Sequence, residues 1–393
     1  MTDHLFNPKQ LKQQFEHELY ESVIPFWERF SPDAAYGGYF NCLDFDGSVY
    51  DSRKHVWLQG RQAWMFSKLY RTIEQKQEWL NLAQSGIDFL LDNAYNSENG
   101  RVYFEMARDG KPIYLQRKIF SECFFIMALA EFSRATGEEK YMTIAKEELE
   151  RVWEWTKDIS KIGRPVLEGQ SEMNSLAIPM ILLNLIEEVA GDDDVETYTD
   201  EIDQCIKLML KHVHEDKKLV LENVGPDGEY MANSYDGRML VPGHAIEAGW
   251  FLQHWALRLK RDELSKTAAN IIRWSFDKGW DEKFGGLFYF LDSKGYSPTQ
   301  LEWNKKLWWP HTEALYGLLQ NVTLFDEKED LLRFNKLRNY TFTHFPDAEH
   351  GEWFGYLNRD GSVSQRFKGG PYKGCFHVPR ALYLCNQWIE EYY

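Results

Sequence analysis

The sequence predicts an all-α chain, an (α/α)6 barrel of six helix-pair repeats with short β-hairpins grouped at one end. Three observations predict it. A Gly-rich motif with an aromatic residue and then Asp-Gly or Lys-Gly returns about every 55 to 65 residues, the mark of a repeat architecture. Between its copies the hydrophobic period changes from two to about 3.6. Most units also carry two helical patterns, one almost wholly apolar and one amphipathic, which implies an inner and an outer ring.

The motif reads GGYFNCLDFDG from Gly37, NGRVYFEMARDG from Asn99 and KKLVLENVGPDG from Lys217, then FGGLFYFLDSKG from Phe284 and HGEWFGYLNRDG from His350. A weaker member, IGRPVLEGQ from Ile162, fills the gap. Each copy predicts two short extended runs meeting at a turn, because Asp-Gly and Lys-Gly supply the positive φ of tight turns. Trp57, Arg61, Trp64, Met65 and Leu69 then share one helical stripe. FSECFFIMALAEFSRA, NSLAIPMILLNLIEEV, HAIEAGWFLQHWALRL and HTEALYGLLQNV are similarly apolar, whereas QEWLNLAQSGIDFLLDNAY and TYTDEIDQCIKLMLKHV are amphipathic. No Pro/Ser-rich linker interrupts the series, so residues 1–393 are expected to form one domain.

Composition narrows the partners. With 45 basic against 61 acidic side chains the net charge is −16, which disfavours nucleic acid and anionic membranes. The 15 Trp, 21 Tyr and 25 Phe serve the core first, and any surplus would suit a pocket that stacks sugar rings. Five scattered cysteines without a CxxC pair signal neither disulfides nor zinc. No apolar stretch reaches the ~18 residues of a membrane span, and MTDHLFNPKQLKQQF lacks the features of a signal peptide. A cytoplasmic protein is expected.

The chemistry lies where the apolar runs begin. Each is entered through a polar residue: Arg61, Glu122, Asn174, Glu247, Glu313 and Arg380. In a barrel these would form a ring at similar depth, facing the central cavity. Buried charge is costly unless paired. A structural network in which Arg61 and Arg380 neutralise the three glutamates is one reading, and a functional site is the other. Two units add a histidine three residues earlier, His244 before Glu247 and His377 before Arg380, on the same helical face. Histidine suits proton transfer because its ordinary pKa, about 6.5, lies near working pH. His311 lies two residues from Glu313, about 200° around a helix, and is expected to be structural. No HExxH, P-loop or GxGxxG occurs, so neither a metal nor a dinucleotide is called for.

The segments WLQGRQAW (57–64), PGHAIEAGW (242–250), KLWWPHTEAL (306–315) and KGGPYKGCFHVPR (368–380) closely resemble the N-acylglucosamine 2-epimerase family. That resemblance implies an (α/α)6 barrel, often a homodimer, that interconverts N-acetylglucosamine and N-acetylmannosamine without a redox cofactor. In some members ATP or another nucleotide is an allosteric activator. It implies that Arg61, His244, Glu313 and His377 match catalytic positions and that Asn174, Glu247, Trp308 and Arg380 lie near the sugar. Glu122 is added to the sugar-binding set from the polar ring. The disaccharide branch of the superfamily carries a further histidine shortly after the asparagine of the third unit, where this chain reads Asn174-Ser-Leu-Ala-Ile-Pro.

Epimerisation beside a carbonyl removes a proton from one face of C2 and returns it on the other, so two bases on opposite sides are needed. His244 and His377 would exchange these roles with direction. Arg61 would stabilise the enediolate, and Glu313 would orient a histidine or assist ring opening. Other readings stay open: a mannose or glucose 2-epimerase, an aldose–ketose isomerase, an inverting glycoside hydrolase using two of the glutamates, and a partner-binding protein, which would leave the polar ring unexplained.

Overall fold

The computed structural model describes residues 6–165, 167–169 and 172–393. Its helices are α1 (Pro8–His17) and α2 (Ile24–Phe30), joined by a π-helical turn, then α3 (Val56–Thr72), α4 (Gln77–Phe89), α5 (Phe120–Thr136) and α6 (Glu139–Lys157). There follow α7 (Ala177–Ala190), α8 (Thr199–Leu210), the single turn α9 (Tyr235–Arg238), α10 (Pro242–Arg258), α11 (Asp262–Gly279), α12 (Trp308–Phe325), α13 (Lys328–His344) and α14 (His377–Tyr392). The two helical patterns of the sequence separate in space. The apolar helices pack in series, α3 on α5, α5 on α7, α7 on α10, α10 on α12 and α12 on α14. The amphipathic α4, α6, α8, α11 and α13 lie against them, and α1 covers α14. One continuous apolar core runs from Leu11 to Ile389. No described helix is long and apolar enough to cross a membrane, and all five cysteines are buried and free.

The motifs make two turns each rather than the single turn expected. The glycine pair of the first unit closes a bridge between Pro32 and Tyr39, with counterparts at Trp280–Leu287 and Pro346–Trp353. The Asp-Gly turn, with Gly47 at φ 83°, then closes Cys42–Leu43 on Val49–Asp51. The expected hairpin at Ile162 falls partly outside the described residues. Its first residue, Ile162, ends a 3-10 turn (Ile159–Ile162) that Gly163 closes at φ 73°.

Pairing also runs between units. The strand entering α3, Lys54–His55, pairs with Glu105–Met106 of the next unit. Met239–Leu240 before α10 pairs with Leu291–Asp292, and Lys306–Leu307 before α12 with Tyr356–Leu357. The series returns to its start, where Lys368 and Gly369 donate to the Leu43 carbonyl at 2.9 and 3.0 Å. Buried lysines brace three of these joints, each reaching an aspartate and a carbonyl of a glycine turn. Lys54 lies 3.1 Å from Asp33, Lys306 3.2 Å from Asp281 and Lys368 2.9 Å from Asp347. Such pairs are tolerated in a core because further hydrogen bonds complete them. They fix where each inner helix begins, and so where its first turns aim their side chains.

Candidate active site

Three inner helices deliver one buried charged cluster. Arg380 of α14 donates through Nη2 to Glu247 of α10 at 2.6 Å and to Glu313 of α12 at 2.8 Å. Trp250 Nε1 donates to the other oxygen of Glu313 at 2.9 Å. Nδ1 of His377, one turn before Arg380, lies 2.7 Å from Glu313. Ligand atoms of Glu247, Glu313 and His377 come within 4.8 Å of one another. A cation could use that spacing, but the Arg380 guanidinium already bridges the two carboxylates. Behind this layer lies a cavity of about 340 Å³ whose lining includes Trp250 and Arg380. Neither His244 nor His377 lines it, and its charges pair among themselves, as in Arg71–Glu131 at 2.6 Å.

His244 is held differently. Its Nδ1 lies 3.0 Å from Glu222, a residue of the segment between the fourth motif's first strands. In both histidines the carboxylate takes Nδ1, and among the described residues neither Nε2 has a hydrogen-bond partner. Trp309 lies against both rings, with centroids 5.1 Å from His244 and 5.9 Å from His377. Gly243 permits this, since a Cβ there would meet the Trp309 ring at 2.5 Å.

The two rings differ in charge. Burial, then Arg61 and Arg380, hold His377 well below the ordinary histidine range, although Glu247 pulls the other way. Its contact with Glu313 does not reverse this, because that carboxylate is already shared with Arg380. Burial also opposes charge on His244, but there Glu222, with Glu247 and Glu313 beyond it, prevails and raises the pKa. The two surroundings thus push the histidines apart, His377 toward its neutral form and His244 toward its protonated form, the kind of separation that distinguishes a base from an acid.

Arg61 faces the same cluster with no carboxylate of its own. Its guanidinium sits on the rings of Phe124 at 4.0 Å, Trp57 at 4.9 Å and Phe376 at 5.0 Å. Among the described residues its buried Nε has no partner. Burial and the nearby Arg380 push its pKa down to about 9, so it remains charged at neutral pH. An unused donor beside His377 suits a developing oxyanion.

Other expected residues take other places. Trp308 stands behind Trp309, with its ring 6.5 Å from His377 and 5.1 Å from Tyr356. Glu122 is bound by Arg101 at 2.8 Å and the Val102 amide at 3.1 Å. The expectation that Arg61 and Arg380 neutralise all three glutamates is thus corrected: its own hairpin neutralises Glu122. Asn174 is not at the start of an inner helix. It lies in the strand Asn174–Ser175, paired with Asn223–Val224 next to Glu222. His311 is walled off, with Nε2 accepting from the Leu287 amide at 2.9 Å and Nδ1 2.6 Å from the Leu307 carbonyl. Burial presses its pKa to about 3. The sequence reading missed Glu222, Trp309 and the aromatic seat of Arg61. An isolated carboxylate inside the apolar run LVLEN was the available signal for Glu222.

Comparison with known proteins bears on the class of reaction. The family profile described as N-acylglucosamine 2-epimerase matches residues 38–381. The mouse N-acylglucosamine 2-epimerase is 45% identical over 383 residues, covering 96% of this chain and 91% of its own. The chain belongs to the N-acylglucosamine 2-epimerase family. It is accordingly an epimerase, a kind of isomerase. A cellobiose 2-epimerase of Bacteroides fragilis is more distant, 25% identical over 97% of this chain and 99% of its own. Among solved structures, the cellobiose 2-epimerase of Bacillus thermoamylovorans shares the helix-rich fold. Its TM-score is 0.82 at 21% identity, over 98% of this chain and 100% of that one.

Proposed function

We propose that this protein interconverts N-acetylglucosamine and N-acetylmannosamine, working as an (α/α)6 barrel with the sugar at the entrance of its inner helices. The observation that carries the reading is the pair of carboxylate-held histidines, both of which meet Trp309. In the ring-opened sugar His377 takes the C2 proton from one face and His244 supplies a proton to the other. The enediolate formed between these steps is stabilised by Arg61, and Glu313 orients His377. The reaction moves protons and transfers no net electrons, so it calls for no redox cofactor. A homodimer, a cytoplasmic location and activation by a nucleotide belong to the same reading.

The N-acetyl sugars are favoured over a disaccharide because identity is 45% to the mouse enzyme against 25% to the cellobiose 2-epimerase. Inverting glycoside hydrolysis is disfavoured. Oxygens of Glu247 and Glu313 lie within 4.8 Å, short of the ~6.5–9.5 Å that a water between two carboxyl groups requires.

Proton NMR of N-acetylmannosamine with the enzyme in D2O tests the proposal. The expected result is N-acetylglucosamine with its C2 proton replaced by deuterium. Turnover of free mannose with none of the N-acetyl sugars would transfer the chain to the mannose branch. Activity lost in EDTA and restored by a divalent metal would overturn the proton-only mechanism.

A further inference from the structure

Glu222 is a buried carboxylate, 7% exposed, and a structural carboxylate at that depth ordinarily has a cation or several donors. Among the described residues its side chain has one hydrogen-bond partner, Nδ1 of His244 at 3.0 Å. Its backbone is fixed on both sides. The Glu222 amide donates to the Met239 carbonyl at 3.0 Å, and its carbonyl accepts from the Leu176 amide at 2.9 Å. Those bonds tie it to the strand entering α10 and to the residue preceding α7. Leu221 and Val224, with Leu219 and Leu240, form a small apolar cluster of their own that seats this segment. His212 holds the Leu221 carbonyl through Nδ1 at 2.8 Å.

We propose that Glu222 is the positioning residue of His244, accepting its Nδ1–H and thereby leaving Nε2 as the nitrogen that works on C2. It deepens the epimerase reading and rests on it. Glu222 stands to His244 as Glu313 stands to His377, with one difference: no guanidinium shares it. The groups facing His244 are Glu222, Glu247, Glu313, His377 and the Trp309 ring, and with three carboxylates among them the proton of the resting pair sits on His244. Turnover in which His377 removes the C2 proton starts from this form. In the opposite direction the proton must first pass to His377. No atom beyond one proton changes place in either case.

The test is Glu222→Gln, which keeps the shape and removes the charge. Epimerisation is expected to fall by up to about 10²–10⁴-fold, the contribution of a positioned acid–base histidine that loses its orientation. Exchange of the C2 proton for deuterium in the epimer served by His377 should stay near the native rate, because that half-reaction needs only neutral His377. The alkaline limb of the pH–rate profile should move to lower pH, and Glu222→Asp, which retains the charge, should lie between native and E222Q. Equal loss of exchange in both epimers, or an unmoved alkaline limb at unchanged melting temperature, would overturn the proposal. If the native enzyme exchanges neither epimer, the epimerase reading fails instead. The dyad is then decided by NMR titration of 13C-labelled His244, whose pKa should drop in E222Q and would stay put if Glu222 were only structural.

Discussion

Among the described residues the carboxylate at the His244 corner has a single hydrogen-bond partner, and the one at the His377 corner has three. Glu222 accepts from His244 alone, whereas Glu313 serves His377, Arg380 and Trp250. The dyads otherwise match, with the carboxylate on Nδ1 and the indole of Trp309 nearby. A carboxylate already neutralised by a guanidinium fixes a histidine in place without lending it charge, and an unshared one does both. The same residue pair thus biases one histidine toward the neutral form and the other toward the protonated form.

Replacing either histidine breaks the comparison most severely. H377N and H244N should each lower epimerisation in both directions by about 10²–10⁴-fold, the usual contribution of an acid–base group. In D2O the mutants should part, one washing deuterium into N-acetylglucosamine and the other into N-acetylmannosamine. Stable variants that keep more than about a hundredth of native activity would refute the roles. R61M should lower kcat by about 10²–10³-fold, as loss of an oxyanion donor does, with little change in KM. Its melting temperature should hold or rise, since methionine fits the aromatic seat and a buried unpaired charge is costly. A fall in melting temperature that accounts for the lost activity would make Arg61 structural.

The pH–rate profile sharpens the same contrast. Both directions need the histidine pair to carry one proton, so both should show one bell with macroscopic limbs belonging to the pair. The acid limb should lie below the ordinary histidine range and the alkaline limb above it. A single limb near 6.5 would contradict the separation. The smallest effect marks the lower bound of that experiment. Burial works against the charges of Asp33 and Asp281, but Arg108 with Lys54, and Arg359 with Lys306, outweigh it and hold each near pKa 2. These folded values lie below the ordinary aspartate value of 3.8, so their stabilisation is present above about pH 4 and lost as pH falls toward 2. Melting temperature should already decline below about pH 6.5, where the unfolded chain protonates the buried His311 and His377, and should fall more steeply below about pH 4, so the His377 limb is to be read only where the protein is still fully folded.

Period and spacing made the helix pairs and the histidines legible, because a helical face follows from sequence distance alone. Glu247, Glu313, His377 and Arg380 came together as their register required. What the sequence hid were partners chosen across units. Nothing local says that Glu222 meets His244 or that Lys306 meets Asp281, since those contacts depend on strands that pair with the following unit. Asn174 does not open an inner helix because α7 begins only at Ala177, so the units do not enter their helices at equal distances from the polar residue. Trp309 was not legible, because which of two adjacent tryptophans meets the histidines depends on the helical phase at the first turn of α12.

The joint between the first and last units has a consequence for the order of folding. There Trp353 donates to Glu18 at 2.9 Å, while Lys368 and Gly369 meet Leu43. These partners lie more than three hundred positions apart, and closing so long a loop costs entropy before any contact repays it. Arg61 reaches Phe376 across this same joint. Helix pairs can form early from neighbouring sequence, but the seat of Arg61 is complete only once the two ends of the series meet. During refolding, helical content should therefore return first and turnover last, with the interval set by the slowest closure in the chain.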